Sequence, residues 1–373
     1  MESKKKIIIS INTVWNLINF RKSLIQFLQS KDFEIYVMAQ PDKYNEKLNF
    51  MNVKFIPIYV NSQKLSIYND LKLFILYIWY FFRIKPDIFL GYTIKPNLYG
   101  SLAAKFFGIP VINNINGLGK AFQKRGLLSS FVIFIYRLSL SWSKTIFFQN
   151  IEDKEFFISL KISNHKNSKL LPGSGVNLKT FNEDLYNVPK NDLFTFILIA
   201  RLLREKGIFE YIQAAKLIKK DYPRVKFQLM GMIDKANSSS ISQEDIDQWS
   251  SEGIIEFLGA QDDVRPFLAK ADCMVLPSYY NEGTPKCLLE AAAMSKPIIT
   301  TDWKGCRNTV DHGVNGFLCK PMDPIDLYNQ LKKMINLRGN DLQKFKFSSR
   351  NKAKMFDERI VFKEYLMSIR EIL

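Results

Sequence analysis

Residues 272–302 read DCMVLPSYYNEGTPKCLLEAAAMSKPIITTD, and this stretch decides the fold. Residues 273–277 form an apolar run of strand length. A polar loop containing Gly283 and Pro285 interrupts it, and residues 285–294 then carry apolar side chains at helical spacing. A second apolar run, 297–301, follows at once. Strand, turn, helix and strand in succession make a βαβ unit, in which the strands lie parallel and the helix covers a face of the sheet.

The same alternation extends in both directions. Strands are expected at 194–200, 225–230 and 254–258, with helices at 208–220, 264–270 and 324–335. Asp323 is the expected N-cap of the last helix, and Pro324 its first residue. In the first half, strands are expected at 6–11, 33–39, 55–59, 88–92, 110–114 and 145–149. The chain therefore reads as α/β with two Rossmann-like halves. Residues 182–192, polar and containing Pro189, form the expected join, and 357–372 a tail helix.

With 47% hydrophobic and 24% charged residues, the 373-residue chain is neither disordered nor collagenous nor a disulfide scaffold. Its net charge of +17 is uneven. Residues 1–170 hold 24 Lys/Arg against 10 Asp/Glu, and residues 88–151 contain no acidic side chain. Such an excess suits a phosphate-bearing partner or an anionic lipid surface. Cys273, Cys287, Cys306 and Cys319 match no metal spacing and read as reduced thiols of a cytoplasmic protein. The opening imitates a signal peptide, but Asn12, Asn16 and Asn19 interrupt it, and a buried first strand is expected there. Residues 73–82 are apolar or aromatic throughout, too short to cross a bilayer, and read as a buried helix that can touch a membrane.

In parallel sheets, ligands collect where strands end and helices begin. The loop ahead of the 285–294 helix offers backbone N–H groups and the positive end of a helix dipole, which suit a diphosphate. Glu282 falls in this loop and Glu290 two turns into the helix, so one carboxylate can meet sugar hydroxyls and the other a ribose diol. Glu244 and Glu252 repeat the spacing without the strand, glycine or proline, so the signal is the whole string. A second loop, ARLLREKG at 200–207, sets Arg201 and Lys206 just past a strand end, where two cations can neutralise a departing diphosphate.

ARLLREKG, NEGTPKCLLEAAAMSKPIITTD, GCRNTV and VNGFLCKPMD together resemble the donor domain of the retaining family 4 glycosyltransferases of GT-B fold. Upstream, GYTIKPNLYGSLAAKFFGIPVINNINGLGKAF and PGSGVNLKTF resemble the branch that builds bacterial capsule and O-antigen units. The resemblance implies two Rossmann-like domains facing a cleft: an acceptor domain at 1–183, a nucleotide-sugar domain at 184–356, and a helix at 357–373 crossing back to the first domain. It implies transfer of a hexose or N-acetylhexosamine from a nucleotide-diphosphate sugar, UDP by family habit, to a polyprenyl-diphosphate-linked saccharide. Arg201 and Lys206 would hold the diphosphate, Glu282 with Gly283, Thr284, Pro285 and Lys286 the sugar, and Glu290 the ribose. The nucleotide-sugar is a substrate, and neither cofactor nor metal is expected.

Two departures qualify it. Many relatives carry a glycine-rich loop after the first strand, whereas this chain has SINTVWNLINFR, which leaves Asn12 and Thr13 for phosphate contacts. Many use a first-domain histidine, but His165 and His312 read as surface or turn residues. A front-face path needs little base catalysis, because the leaving phosphate can take the acceptor's proton. The basic first half, with Lys95, Lys105, Lys120, Lys124, Arg125, Arg137 and Lys144, is expected to dock on the cytoplasmic face of an anionic inner membrane and to meet the acceptor. A GT-B-shaped sugar-nucleotide epimerase is the alternative. Nucleic-acid binding is a weaker one, since no recognised nucleic-acid motif is present.

Overall fold

The apolar runs form two parallel sheets, each buried between helices. The computed structural model describes residues 4–60, 66–118, 127–187, 193–234 and 237–373. Contacts divide the chain into two units, residues 1–174 with 358–373, and residues 175–357.

The first unit runs β1 (Lys6–Thr13), α1 (Val14–Gln29), β2 (Glu34–Gln40), β3 (Lys54–Pro57), α2 (Ile67–Ile84), β4 (Ile88–Tyr92), α3 (Ser101–Phe106), β5 (Val111–Ile115), α4 (Leu127–Leu140), β6 (Ser143–Phe148), α5 (Ile151–Ser159) and β7 (Ser168–Leu170). Its strands lie in the order β3-β2-β1-β4-β5-β6-β7, all pairs parallel. Ile7, Ile9 and Leu90 pack on one side with α1, whereas Ile8, Phe89 and Val111 pack on the other with Tyr77 and Phe81 of α2. Alternate residues of one strand thus fill opposite layers, as a sheet covered on both faces requires.

The second unit runs β8 (Thr195–Ile199), α6 (Ile208–Asp221), β9 (Lys226–Met230), α7 (Gln243–Ser251), β10 (Glu256–Gly259), α8 (Arg265–Lys270), β11 (Cys273–Leu276), α9 (Lys286–Ala293), β12 (Ile298–Thr301), β13 (Gly316–Cys319), α10 (Pro324–Asn336) and α11 (Gly339–Lys354). The order is β10-β9-β8-β11-β12-β13, again parallel. Asp323 caps α10 by accepting the N–H groups of Ile325 and Asp326.

The tail helix α12 (Glu358–Arg370) packs with the first unit. Phe362 stacks on Phe27 with centroids 5.1 Å apart, and the Tyr365 hydroxyl accepts from Asn114 at 2.8 Å. The first division falls after Ser174 rather than at 183, because the following segment is tied to the second unit. The Val176 N–H donates to the Phe356 carbonyl at 2.9 Å, and Arg350 donates to the carbonyls of Leu178 and Phe181.

The helix expected at 73–82 extends from Ile67 to Ile84 and is buried on one side only. Leu73, Tyr77 and Phe81 face the sheet, while Ile67, Leu71, Ile75, Trp79 and Phe82 form an exposed stripe.

Candidate active site

The order of the second sheet reverses between β8 and β11, so the loops leaving these neighbouring strands diverge and leave a crevice at their carboxyl ends. The two loops expected from sequence are these. After β8 the chain passes Arg201, makes a short 3₁₀ turn at Arg204–Lys206 and enters α6 through Gly207. Gly207 has φ +76°, and a Cβ there would lie 2.1 Å from the Pro277 carbonyl oxygen. Only glycine permits both the left-handed backbone and this approach of one loop to the end of β11. The contact is reinforced by the Tyr279 N–H, which donates to the Glu205 carbonyl at 2.9 Å.

This approach brings Lys206 and Glu282 together. The Lys206 ammonium donates to Glu282 Oε2 at 2.5 Å, with side-chain exposures of only 9% and 17%. The other carboxylate oxygen of Glu282 accepts from the Ser278 hydroxyl at 3.0 Å, and the Thr301 hydroxyl fixes the Ser278 carbonyl. The carboxylate is therefore oriented from both sides. Arg201 is more open, with its side chain 42% exposed and Asp234 at 4.0 Å. Both cations lie over the Tyr280 ring, Lys206 at 5.3 Å and Arg201 at 6.0 Å from its centroid.

Gly283, Thr284 and Pro285 are buried and lead into α9, with Pro285 at the N-cap one residue before the first helical position, Lys286. The loop after β12 closes on this turn: Gly305 has φ +80°, and a Cβ on it would meet the Gly283 carbonyl oxygen at 2.0 Å. Glu290 lies about one turn into α9, with Lys286 one turn before it at 3.7 Å. Burial raises its carboxyl above the ordinary glutamate value, and the Lys286 ammonium opposes the rise. Arg201, Lys206, Glu282, the 283–286 backbone and Glu290 are thus gathered at one sheet edge. Sequence alone does not mark Tyr280 or Ser278; the available signal for Ser278 is its place directly after the apolar run that Pro277 ends.

Asn12 and Thr13 end β1 in the first unit. Asn12 Oδ1 accepts from the Thr93 hydroxyl at 2.7 Å, and Thr13 caps α1 through the Asn16 N–H at 3.2 Å. Lys95, expected as a surface cation, is instead buried and paired with Asp70 at 2.5 Å, so it presents no charge to a lipid surface. Lys120, Lys124 and Arg125 lie outside the described residues. His165 is exposed, and His312 Nδ1 accepts the Leu318 N–H at 2.9 Å within a turn. The four cysteines are free. Burial pushes their thiols up, that of Cys306 to about 12. Among the described residues, no group of three or more His, Cys, Asp or Glu is arranged to hold a metal ion.

Comparison with known proteins agrees with this fold. The family model for "Glycosyl transferases group 1" matches residues 183–352, and that for "Glycosyl transferase 4-like" matches residues 6–150. The chain is 28% identical to the N,N'-diacetylbacillosaminyl-diphospho-undecaprenol alpha-1,3-N-acetylgalactosaminyltransferase of Campylobacter jejuni, over 94% of each chain. It is 24% identical to the UDP-Gal:alpha-D-GlcNAc-diphosphoundecaprenol alpha-1,3-galactosyltransferase of Escherichia coli, over 76% of this chain and 74% of that one. The crystal structure of Anabaena Alr3699/HepE in complex with UDP and glucose shares the fold, with a TM-score of 0.81 at 16% identity over 98% of this chain and all of that one.

The Lys206–Glu282 contact makes a stability prediction. Removing one member of a buried pair leaves an uncompensated charge and costs about 3–5 kcal/mol, whereas replacing both with apolar side chains is nearly neutral. Lys206→Met is expected to lower the midpoint of chemical denaturation clearly, and adding Glu282→Met to recover most of the loss. Additive losses would contradict the pairing.

Proposed function

The chain belongs to the glycosyl transferases of group 1, and from this premise we propose that it is a retaining enzyme that moves a hexose or N-acetylhexosamine from a UDP-sugar to a polyprenyl-diphosphate-linked saccharide in surface polysaccharide assembly. The observation that carries the reading is the convergence of Arg201, Lys206 and Glu282 at the crevice between β8 and β11. The printed names of the two relatives support the acceptor class. The epimerase and nucleic-acid alternatives have no comparable support.

In this mechanism the donor diphosphate meets Arg201 and Lys206 and the N–H groups leading into α9. Lys206 exchanges part of its contact with Glu282 for a phosphate oxygen, which keeps both desolvated charges compensated. Glu282 accepts from sugar hydroxyls, and Glu290 accepts the ribose diol. As the bond from the anomeric carbon to the diphosphate oxygen breaks, the acceptor hydroxyl attacks the same face and its proton passes to the leaving phosphate. The two cations supply, as preorganised charge, the stabilisation that this departure requires.

The acceptor's lipid calls for a membrane surface, and the exposed stripe of α2 fits one. Ile67, Leu71, Ile75, Trp79 and Phe82 recur at helical spacing, and the Arg83 guanidinium lies 4.4 Å from the Trp79 ring centroid. The acidic residue of α2, Asp70, is turned inward onto Lys95. No helix among the described residues is long and apolar enough to cross a membrane. We propose a peripheral position on the cytoplasmic face of the inner membrane, a reading supported by this stripe and by the lipid-linked acceptors in the relatives' names.

Arg201→Ala is expected to lower transfer from labelled UDP-sugar to a polyprenyl-diphosphate saccharide by about 10²–10³-fold with the fold intact, the loss typical of one preorganised charge-stabilising donor. Turnover like wild type would remove Arg201 from the leaving-group site. Because Glu290 must be ionised to accept two hydroxyls, and its carboxyl is raised, UDP affinity should fall on acidification at a higher pH than an ordinary glutamate would dictate. In Glu290→Gln this dependence should vanish in calorimetric titrations, and its persistence would rule out Glu290 as the titrating group. On the membrane side, cosedimentation with anionic vesicles should weaken strongly in Ile75→Glu/Trp79→Glu and should decline with salt. Unchanged binding would exclude the α2 stripe.

A further inference from the structure

We propose that the carboxyl edge of the first sheet holds a second anion site, in which Arg21 binds a phosphoryl group of one of the substrates. The naming of phosphate sources rests on the transferase reading above, but the site itself rests on the first unit alone.

The order of the first sheet reverses between β1 and β4, so this edge has its own crevice position, bounded by Asn12 and Thr13 on one side and Tyr92 and Thr93 on the other. Arg21 of α1 reaches this edge. Its guanidinium lies 4.2 Å from the Tyr92 ring centroid, donates through one terminal nitrogen to Asn116 Oδ1 at 3.2 Å and through the other to the Phe20 carbonyl at 3.2 Å. The residue is only 2% exposed, and its buried Nε has no partner among the described residues. A guanidinium carries five N–H donors, so this one is held in place but under-used.

It is also uncompensated. No carboxylate among the described residues lies within ion-pair distance of Arg21, and the chain contains no Asp or Glu from 3 to 31 or from 88 to 151, the segments that build both sides of this edge. The contrast with Lys95 is direct, because that buried cation of the same unit has Asp70 at 2.5 Å. A buried cation without a counter-ion is costly unless an anion completes it. The bidentate fork of arginine matches phosphate oxygens better than a point charge does.

The surroundings are built for a ligand. Gln149 donates to Asn116 Oδ1 at 2.8 Å, so the amide that holds Arg21 is itself held. Thr93 adopts φ +68°, a conformation β-branched residues avoid, and its hydroxyl donates to Asn12 across the junction of β1 and β4. Asn12, Thr93 and Asn116 are half-buried, so the polar rim beside the guanidinium reaches solvent. The phosphoryl group can come from the donor diphosphate or from the lipid diphosphate of the acceptor.

The test uses the full chain as wild type, Arg21→Met and Arg21→Lys, titrated calorimetrically with UDP and with geranyl diphosphate, and melted in phosphate-free buffer. Arg21→Met should lose about tenfold or more in affinity for one of the two, the scale of one charged hydrogen-bonding contact, and Arg21→Lys should recover part of it. Loss for UDP alone identifies the donor diphosphate, and loss for geranyl diphosphate alone the acceptor. Without phosphate, Arg21→Met should melt no lower than wild type, since an uncompensated buried charge has been removed. Arg201→Ala serves as the control for the donor site: if it leaves UDP affinity unchanged while Arg21→Met loses geranyl diphosphate, the donor-site reading fails and this one stands. Wild-type affinity of Arg21→Met for both ligands would overturn the proposal. So would a variant that fails to fold or melts well below wild type, because Arg21 would then be a structural guanidinium.

Discussion

The ion pair between Lys206 and Glu282 is the contact on which the second unit's site depends. Neither charge would be kept so far from water without the other. Their meeting in turn requires β8 and β11 to be neighbours and the turn at Gly207 to press against Pro277. The crevice is therefore a consequence of sheet order. Two strands whose following helices diverge leave their loops facing one another, and the sequence has filled those loops with a lysine, an arginine and an oriented carboxylate. On the proposed function, a diphosphate would enter an environment already polarised for it, which would leave little reorganisation for the reaction itself.

The first sheet meets the same topological constraint with different contents. At its reversal between β1 and β4 lie amides, hydroxyls and Arg21, with no acidic residue in the adjoining segments. The uneven +17 charge thus has at least two components. Part of it is internal, as in Arg21, which has no carboxylate partner among the described residues, whereas Lys95 is cancelled by Asp70 and adds nothing to the excess. Another part is superficial and accompanies the apolar stripe of α2, where Trp79 and Arg83 stack beside one another.

Much of this was legible in the sequence because strand-length apolar runs and strong helix starts are local signals. The runs at 194–200 and 273–277 contain β8 and β11, and the E-G-T-P loop with its helix lies where the pattern put it. What escaped notice lacks local periodicity or depends on distant partners. Among the residues of α11, Ser349 and Ala353 are buried, so its sixteen-residue span carries no apolar stripe. β13 is only four residues long. Lys95 reads as a surface cation until Asp70 is found beside it, and Arg21 attracts no attention inside an ordinary amphipathic helix. Residues 175–183 read as part of the first domain because nothing local reveals their hydrogen bonds to Phe356 and Arg350.

On the proposed function, two protein cations at the β8–β11 crevice hold the donor diphosphate. A crystal structure of the full chain grown with UDP in the presence of a chelator tests it most directly. The expected density is a diphosphate within hydrogen-bond distance of Arg201 and Lys206, with the ribose diol against Glu290. A diphosphate bound elsewhere, or bound only when a divalent cation is restored, would contradict it.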